Sequence, residues 1–324
     1  MKNGIKKATQ FRMHPRTPAG LVAWVFLLSL GTPLAAALPA WPQNFTDAGG
    51  HVLRLDHPPR AIVSLTLASD EMLFDLVDRS RLAAITFLAT DKGISSIAAA
   101  AQSFPRRLSG EKEPIIALQP DLVLVADWKE KEFIQSLRDA GIPVFVMHSP
   151  DTFAELRTSL TLLGALCGET QKAAALVARI DLRLKAVGDR LAKRAKAKPL
   201  GVLSYSFFGT TYARGTSFDA LVEAAGLVNV ASRAGLKGWP QLSKEQVIAL
   251  DPDIILLPSW SYEGKVNARD FMAGFVKDPI FSSLKAVRTA RVISLPDAHL
   301  LSNSQYMVDA VEDLARAAYP ELFR

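Results

Sequence analysis

Residues 113–125 read EPIIALQPDLVLV and residues 245–257 read EQVIALDPDIILL, with seven of thirteen positions identical. In each copy a Glu opens a short helical turn, a Pro-Asp pair stops it, and an apolar run follows. Pro prevents continuation of the helix, and an uninterrupted apolar run is typical of a parallel strand that is buried on both faces. Two copies 132 residues apart are too few for a solenoid, so the repeat predicts two similar α/β lobes.

Between the two copies lies a segment of different character, residues 169–198. It contains no Pro, and its apolar residues recur at helical spacing, at 173, 176, 177, 180, 184, 187 and 191. This pattern predicts one helix of about 40 Å that joins the lobes, although a long helix inside a single domain fits it too. Strand-like and helix-like segments alternate on both sides, which predicts an α/β fold with parallel sheets. The predicted organisation is a signal peptide at 1–37, an N-terminal segment at 38–60, an N-lobe at 61–168, a linker helix at 169–198 and a C-lobe at 199–324.

The N-terminus has the composition of a secretory signal peptide. Five basic residues precede the first acidic one, an apolar run extends from Ala19 to Leu30, and small residues follow. This order predicts export, with cleavage after Ala37 or Ala40, and an uncleaved anchor is the alternative. Without the five leader charges the formal charge of +6 falls to about +1, so the composition favours a nearly neutral soluble protein over a nucleic-acid-binding one.

Cys167 is the only cysteine of the chain. An exported protein with one thiol has no internal disulfide framework. No cysteine stands near the predicted cleavage site, which argues against a lipid-anchored lipoprotein. Cys167 lies in the apolar run LLGALCG, where we expect a small buried core residue.

Many aromatic residues gather at the predicted ends of the strands. In parallel α/β sheets ligands bind beyond the carboxyl ends of the strands, so this distribution favours a large, flat, partly apolar ligand between the lobes. The predicted strand-end residues are Phe87, Trp128, His148, Tyr205, Phe207, Phe208, Trp260, Tyr262, Asp297 and His299. The alternative for any one of these aromatics is packing in the core or in a loop.

Signatures of common enzymes are missing from the sequence. It contains no GxSxG, P-loop or HExxH motif, so we predict no enzyme, no catalytic residue and no cofactor. His148 and His299 both follow predicted strands and are the candidate metal ligands. Two histidines at unrelated spacing fit ordinary surface or supporting roles better than a metal site.

The two lobes, the linking helix, the export signal and the twin ExxIALxPD motif together resemble a known family over about residues 58–322. These are the periplasmic substrate-binding proteins of ABC importers for metal chelates, which have the class III fold of two Rossmann-like lobes. The resemblance implies a monomeric periplasmic protein that binds a metal chelate between its lobes and delivers it to a permease dimer in the inner membrane.

In that family a Glu at the tip of each lobe docks into Arg pockets of the permease. Glu113 and Glu245 match those positions, because each stands seven residues before the Pro of Pro-Asp. Charge complementarity of this kind sets register and association rate. The alternative is purely structural, since an acid in the first turn of a helix also stabilises the helix dipole by about 0.3–1 kcal/mol.

A shorter resemblance bears on the ligand. The cobalamin-binding members carry a WPQxSxEQ segment, and residues 239–246 read WPQLSKEQ. The resemblance implies that Trp239 lines the pocket and that Phe208 and Asp297 match further pocket positions. The sequence departs from these cobalamin-binding members at two places. The Arg expected shortly after the Asp is absent, and Ser302–Ser304 stand there instead. An aromatic-rich turn of the N-lobe is replaced by Thr86–Leu88. The remaining predicted ligand-binding residues are Trp260, Tyr262, Trp128, Phe87 and Tyr205.

We therefore predict a corrinoid or a ferric siderophore as the ligand. A haem-binding member of the same group is the alternative, and it would use His148 on the iron because the N-lobe contains no Tyr. A siderophore would be held by Arg side chains, for which Arg106, Arg214 and Arg233 are candidates. An exported enzyme or a sensor built on the same scaffold also fits the sequence.

Overall fold

The computed structural model describes residues 40–194, 198–261, 264 and 266–324. The predicted signal peptide lies outside the described residues. The first described element is an antiparallel hairpin, in which β1 (Gln43–Thr46) pairs with β2 (Val52–Leu55).

The N-lobe is built on a parallel sheet. Its strands are β3 (Ile62–Ser64), β4 (Leu82–Thr86), β5 (Arg107–Leu108), β6 (Leu122–Ala126) and β7 (Val144–Met147). Its helices are α1 (Leu67–Leu76), α2 (Ala98–Ala101), α3 (Lys112–Ala117), α4 (Lys131–Asp139) and α5 (Phe153–Leu166). The five strands are ordered β5-β4-β3-β6-β7, and apolar residues fill the strands because helices cover the sheet.

The linker helix α6 (Thr170–Leu191) leads to the C-lobe, through a 3-10 turn at Ala192–Arg194. The C-lobe strands are β8 (Gly201–Ser204), β9 (Val228–Asn229), β10 (Ile254–Leu256) and β11 (Val292–Ile293). Its helices are α7 (Ser217–Ala224), α8 (Val230–Arg233), α9 (Lys244–Leu250), α10 (Ala268–Lys277), α11 (Lys285–Arg288), α12 (Asp297–Leu300) and α13 (Met307–Ala318). The strands are parallel in the order β11-β10-β8-β9. The predicted α/β fold with two parallel sheets and a long helix is confirmed.

Both copies of the repeat form the same structure, α3 followed by β6 and α9 followed by β10. The residue before each Pro-Asp, Gln119 or Asp251, has a positive φ, of 46° and 35°. The Asp that follows then binds the start of the neighbouring strand. Asp121 accepts from the amide of Ala61 at 2.7 Å, and Asp253 accepts from the amide of Gly201 at 2.7 Å. The motif therefore fixes each helix–strand unit to the first strand of its own sheet.

Helix α6 contacts both lobes along its 22 residues, a length of about 33 Å. It packs against α1 and α5 of the N-lobe and against α13 of the C-lobe. Its buried face repeats at helical spacing, as the sequence predicts, and consists of Ala173, Leu176, Ile180 and Val187. Ion pairs add to this packing on both sides, from Asp181 to Arg157 on α5 and from Arg183 to Asp309 on α13.

Cys167 ends α5 and is fully buried in the core that α5 and α6 share. Burial raises the pKa of its thiol to about 12. The expectation of a buried core cysteine is confirmed.

Candidate functional site

Two adjacent cavities lie at the carboxyl ends of the parallel strands. The first, which we call the interlobe cavity, has a volume of about 310 Å³ and is lined from both lobes. The ends of β6 and β7 provide its N-lobe side. Its lining residues are Asp127, Trp128, His148, Ser149, Asp151, Tyr212, Thr216, Ser217, Phe218, Trp239, Leu300, Leu301 and Asn303.

The second cavity, the C-lobe cavity, has a volume of about 240 Å³ and lies beyond the ends of β8, β10 and β11. Its described lining residues all belong to the C-lobe and are Ser204, Ser206, Phe207, Phe208, Thr210, Tyr212, Phe218, Leu256, Leu257, Pro258, Trp260, Ser261, Asp297, Leu300 and Leu301. Tyr212, Phe218, Leu300 and Leu301 line both cavities, so the two spaces are parts of one cleft.

Three large aromatic side chains on these cavities are exposed to solvent. Trp128 is 70% exposed, Trp239 64% and Phe208 78%. Phe208 stands at the tip of a turn that Ser206 holds, since the Ser206 hydroxyl accepts from the amides of Phe208 and Thr210. Exposed aromatics around a concave surface mark a binding site. The structure thus brings together three of the predicted ligand-binding residues.

Asp297 lies at the base of the C-lobe cavity and is almost fully buried. Its Oδ2 accepts hydrogen bonds from the amides of Ser259 and Trp260, at 2.8 and 2.7 Å. Burial nevertheless raises the pKa of this carboxyl. Asp297 therefore fixes the loop that carries Trp260, in addition to lining the cavity.

His148 and Asp127 form a pair on the N-lobe side of the interlobe cavity. The Nδ1 atom of His148 lies 2.5 Å from Oδ2 of Asp127, and this hydrogen bond raises the pKa of the imidazole. Neighbouring Asp151 also lines the cavity, and burial raises its pKa. Among the described residues, no group of three or more His, Cys, Asp or Glu side chains has a metal-binding arrangement.

Tyr205 has a different place from the predicted one. Successive side chains of a strand point to opposite faces, so Ser204 at the end of β8 faces the C-lobe cavity and Tyr205 turns into the core. There its ring packs against those of Phe275 and Phe281, with centroid distances of 5.8 and 6.5 Å. Tyr205 is not among the described residues that line either cavity, and its contact with a ligand stays a prediction.

Two further predicted residues, His299 and Phe87, are not among the described residues that line these cavities. His299 turns to α13, where its Nδ1 lies 2.7 Å from Oδ2 of Asp313. That hydrogen bond raises the pKa of the imidazole. Phe87 is 42% exposed outside both cavities. Tyr262 lies outside the described residues.

The described residues that line the two cavities include three aspartates but no Lys or Arg. The candidate siderophore-binding residues Arg106, Arg214 and Arg233 line neither cavity, and Arg214 donates instead to the carbonyl of Ser232. A fixed anionic group on a ligand would therefore find no cationic partner among these side chains, and it would face carboxylates.

Glu71 on α1 is a buried link between the lobes. Its Oε2 accepts from the hydroxyls of Ser302 and Ser304, at 3.0 and 2.6 Å, and its Oε1 accepts from the amide of Ser96. Burial raises the pKa of Glu71, against the effect of these hydrogen bonds. Nothing local in the sequence signals this contact, because the partners are 231 and 233 residues away.

Glu113 and Glu245 stand in equivalent places on the two lobes. Each is exposed in the first turn of its helix, α3 or α9. In α9 a capping box is present, with Ser243 and Gln246 binding each other's backbone amides. Hydrogen bonds from its own backbone and from Ser243 lower the pKa of Glu245, so this carboxylate stays charged.

Residues 62–299 match the periplasmic binding protein family. The chain belongs to that family. Periplasmic binding proteins bind solutes and are not enzymes, which agrees with the predicted absence of catalysis. No helix in the described part of this periplasmic binding protein has the length and apolar character needed to cross a bilayer.

Known relatives of this periplasmic binding protein differ in their named ligands. A cobalamin-binding protein of Halobacterium salinarum is 24% identical over 325 residues, covering 94% of this chain and 85% of that protein. The periplasmic heme-binding protein RhuT of Roseiflexus sp. RS-1 is 27% identical, with a TM-score of 0.67 over 81% of this chain and 99% of that one. MolA of Haemophilus influenzae, a molybdate-binding protein of an ABC transporter, is 20% identical with a TM-score of 0.72, over 87% and 92% of the chains. The MolA likeness shows the fold alone.

Proposed function

We propose that this periplasmic binding protein captures a bulky metal chelate without net negative charge, of the corrinoid class, and delivers it to an ABC permease. The observation that carries the proposal is the cleft between the lobes, which combines exposed aromatic faces with no cation among its described lining residues. A corrinoid offers a broad apolar face and neutral amide arms, which such a cleft accommodates.

The same cleft disfavours the two other chelates. A ferric catecholate siderophore and haem both carry a net negative charge, whereas the phosphodiester of cobalamin is balanced by its cationic cobalt centre. Burying a net negative charge is costly where the described lining residues include no cation. The resemblance of residues 239–246 to the cobalamin-binding members and the cobalamin-binding relative support the corrinoid. Trp239, Trp128 and Phe208 would contact its faces.

Haem is the second candidate because of the His148–Asp127 pair. A carboxylate on Nδ1 orients an imidazole so that its other nitrogen can bind a metal. The heme-binding relative RhuT supports this candidate.

Delivery and export complete the proposal. Glu113 and Glu245, one exposed acid on each lobe, would dock to two symmetric permease subunits. The basic and apolar leader would direct the chain to the periplasm, where the mature protein would act as a monomer.

Intrinsic tryptophan fluorescence tests the choice of ligand. Trp128, Trp239 and Trp260 lie on the cleft, so a bound chromophore should quench their emission. We expect saturable quenching by cyanocobalamin at low micromolar concentration or below, and much weaker effects of haemin and ferric catecholates. Saturation by haemin alone, lost in the His148→Ala variant, would favour the second candidate. No quenching by any of the three would reject the chelate proposal.

A further inference from the structure

Trp260 crosses from the C-lobe to the N-lobe. It belongs to the loop that follows β10, and its indole Nε1 donates a hydrogen bond to Oδ2 of Asp91 at 2.9 Å. Asp91 stands in the N-lobe after β4, 169 residues earlier in the chain. The side chain of Trp260 therefore spans the cleft between the lobes.

Gly93 leaves the space that the indole occupies. A Cβ atom at this position would lie 1.8 Å from Cδ1 of Trp260 and 2.7 Å from its Nε1. Such distances are far below van der Waals contact, so any side chain on residue 93 would displace the ring. The indole is packed directly against the backbone of the opposite lobe.

Both sides of this contact are held in place. On the C-lobe side, Asp297 accepts from the amides of Ser259 and Trp260. On the N-lobe side, Oδ1 of Asp91 accepts from the amide of Gly93 at 2.8 Å, and the carbonyl of Asp91 accepts from Ser95 at 2.9 Å. Because neither side needs to rearrange internally, the contact can form and break as a unit.

The position of the contact relates it to ligand access. Trp260 lines the C-lobe cavity, and no described N-lobe residue does, so the indole stands between that cavity and the N-lobe. A corrinoid is larger than either cavity of about 240 and 310 Å³. A ligand of that size needs the two cavities to join and the lobes to separate on this side.

We propose that Trp260, packed on Gly93 and hydrogen-bonded to Asp91, is a gate that closes the cleft and must open before a bulky chelate enters or leaves. The gate determines which ligands are admitted by size and how fast they exchange. The proposal rests on the proposed function for the identity of the ligand, whereas the contact itself is seen in the structure.

Hydrogen exchange of the ligand-free protein tests the closed gate. The amides of residues 93–96 lie across the cleft from Trp260, and they are hydrogen-bonded within the N-lobe. We expect Trp260→Phe and Trp260→Ala to increase the exchange of these amides about three- to tenfold, the range for loss of one hydrogen bond. The matched control is Trp239→Phe, the same substitution in the same lobe, which should leave these amides unchanged. Unchanged exchange in both Trp260 variants would overturn the proposal.

The rates of ligand association and dissociation distinguish a gate at Trp260 from a residue that only contacts the bound ligand. For cyanocobalamin, Trp260→Phe and Gly93→Ala should accelerate association and dissociation together, by about three- to tenfold, with a smaller change in Kd. Gly188→Ala, in which the added Cβ meets no atom within 4 Å, is the control for Gly93→Ala and should leave both rates unchanged. Faster dissociation with unchanged association would identify Trp260 as an ordinary ligand contact and overturn the gate.

The two experiments separate failure of the gate from failure of the proposed function. If the wild type fails to bind cyanocobalamin, the proposed function fails, and the hydrogen-exchange experiment still decides the gate.

Discussion

On α1, Asp70 is fully enclosed by protein. Its Oδ2 accepts hydrogen bonds from the amide and the hydroxyl of Thr86, at 3.0 and 2.6 Å. Burial outweighs these hydrogen bonds and raises the pKa of the carboxyl well above its ordinary value of 3.8. The folded protein therefore holds a proton on Asp70 at pH values at which the unfolded chain has released it.

This difference makes stability depend on pH in a defined direction. The free energy of unfolding should fall as the pH rises from about 4 through the folded-state pKa, with a slope from this group of at most about 1.4 kcal/mol per pH unit. Asp70→Asn removes the titrating group and should make the curve less steep. The remaining slope comes from the other groups whose pKa values are raised, which are Glu71, Asp151, Asp297, His148 and His299. Urea unfolding of both proteins between about pH 4 and pH 8 measures how the free energy of unfolding depends on pH.

Asp78 is the matched control because its pKa shifts the other way. It is exposed, and hydrogen bonds from Ser80 lower its pKa, so its contribution is lost as the pH falls. Asp78→Asn should leave the slope above pH 5 unchanged. An Asp70→Asn protein that keeps the wild-type slope would show that Asp70 is ionised in the folded state.

At the residue scale the sequence could locate strand ends but not the direction of side chains. It identified Trp128, Trp239 and Phe208, which lie on the cleft. It did not foresee that the Tyr205 side chain packs in the core, because a shift of one residue at a strand end turns a side chain from the cleft to the core. Contacts such as those of Trp260 with Gly93 depend on how two distant segments meet, and no local pattern encodes them.

Among the helices, α5 and α6 approach each other closely at one glycine. A Cβ on Gly164 of α5 would lie 2.3 Å from the Cβ of Ala173 on α6, whereas a Cβ on Gly188 of α6 would meet no atom within 4 Å. Both glycines occupy helix interiors. The same substitution at the two positions therefore separates helix propensity from packing.

We expect Gly188→Ala to raise the free energy of unfolding by about 0.5–1 kcal/mol, because alanine restricts the unfolded chain and favours the helix. Gly164→Ala should instead lower it by about 1–3 kcal/mol, since the two helices must move apart. Urea denaturation of both variants provides the comparison. Stabilisation by Gly164→Ala would mean that the α5–α6 contact is looser than described.

At the element scale the sequence was informative because its signals are local. Pro-Asp and the apolar runs of the repeat predicted two equivalent helix–strand units, and α6 followed from its apolar spacing. The structural role of the Asp in each Pro-Asp pair could not be predicted from the sequence. Asp121, before β6, binds the start of β3, and Asp253, before β10, binds the start of β8. In each sheet the two strands are neighbours although they are distant in the chain.

For the whole molecule, α6 limits how the lobes can move. Its packing and ion pairs connect it to α5 on one side and to α13 on the other. A single helix cannot bend far without losing hydrogen bonds. Opening of the cleft should therefore be a small displacement on the side of Trp260.

Small-angle scattering measures this displacement. Between the free protein and the protein saturated with cyanocobalamin, we expect the radius of gyration to change by about 1 Å or less. Gly188→Pro breaks the interior of α6 and should enlarge the change, with Gly188→Ala as the control that keeps it small. A large closure in the wild type would contradict the stiff linker.

Docking to the permease concerns the molecule and its partner together. The double variant Glu113→Lys and Glu245→Lys should bind cyanocobalamin as the wild type does but reduce its uptake by cells at least about tenfold, because reversed charges oppose docking. The control reverses Glu132 and Asp270, which are exposed acids in the first turns of α4 and α10, on the same two lobes. Equal uptake by both double variants would leave Glu113 and Glu245 with a structural role only.

The single buried thiol makes the natural chain a ready background for distance measurements. Cys167 is fully enclosed and its thiol stays protonated at neutral pH, with a pKa of about 12, so a maleimide should not react with it. Cysteines introduced at the exposed positions Gln135 on α4 and Lys277 on α10 would then accept a pair of dyes selectively. Energy transfer between them would follow the separation of the lobes in single molecules, with every native residue of the cleft in place.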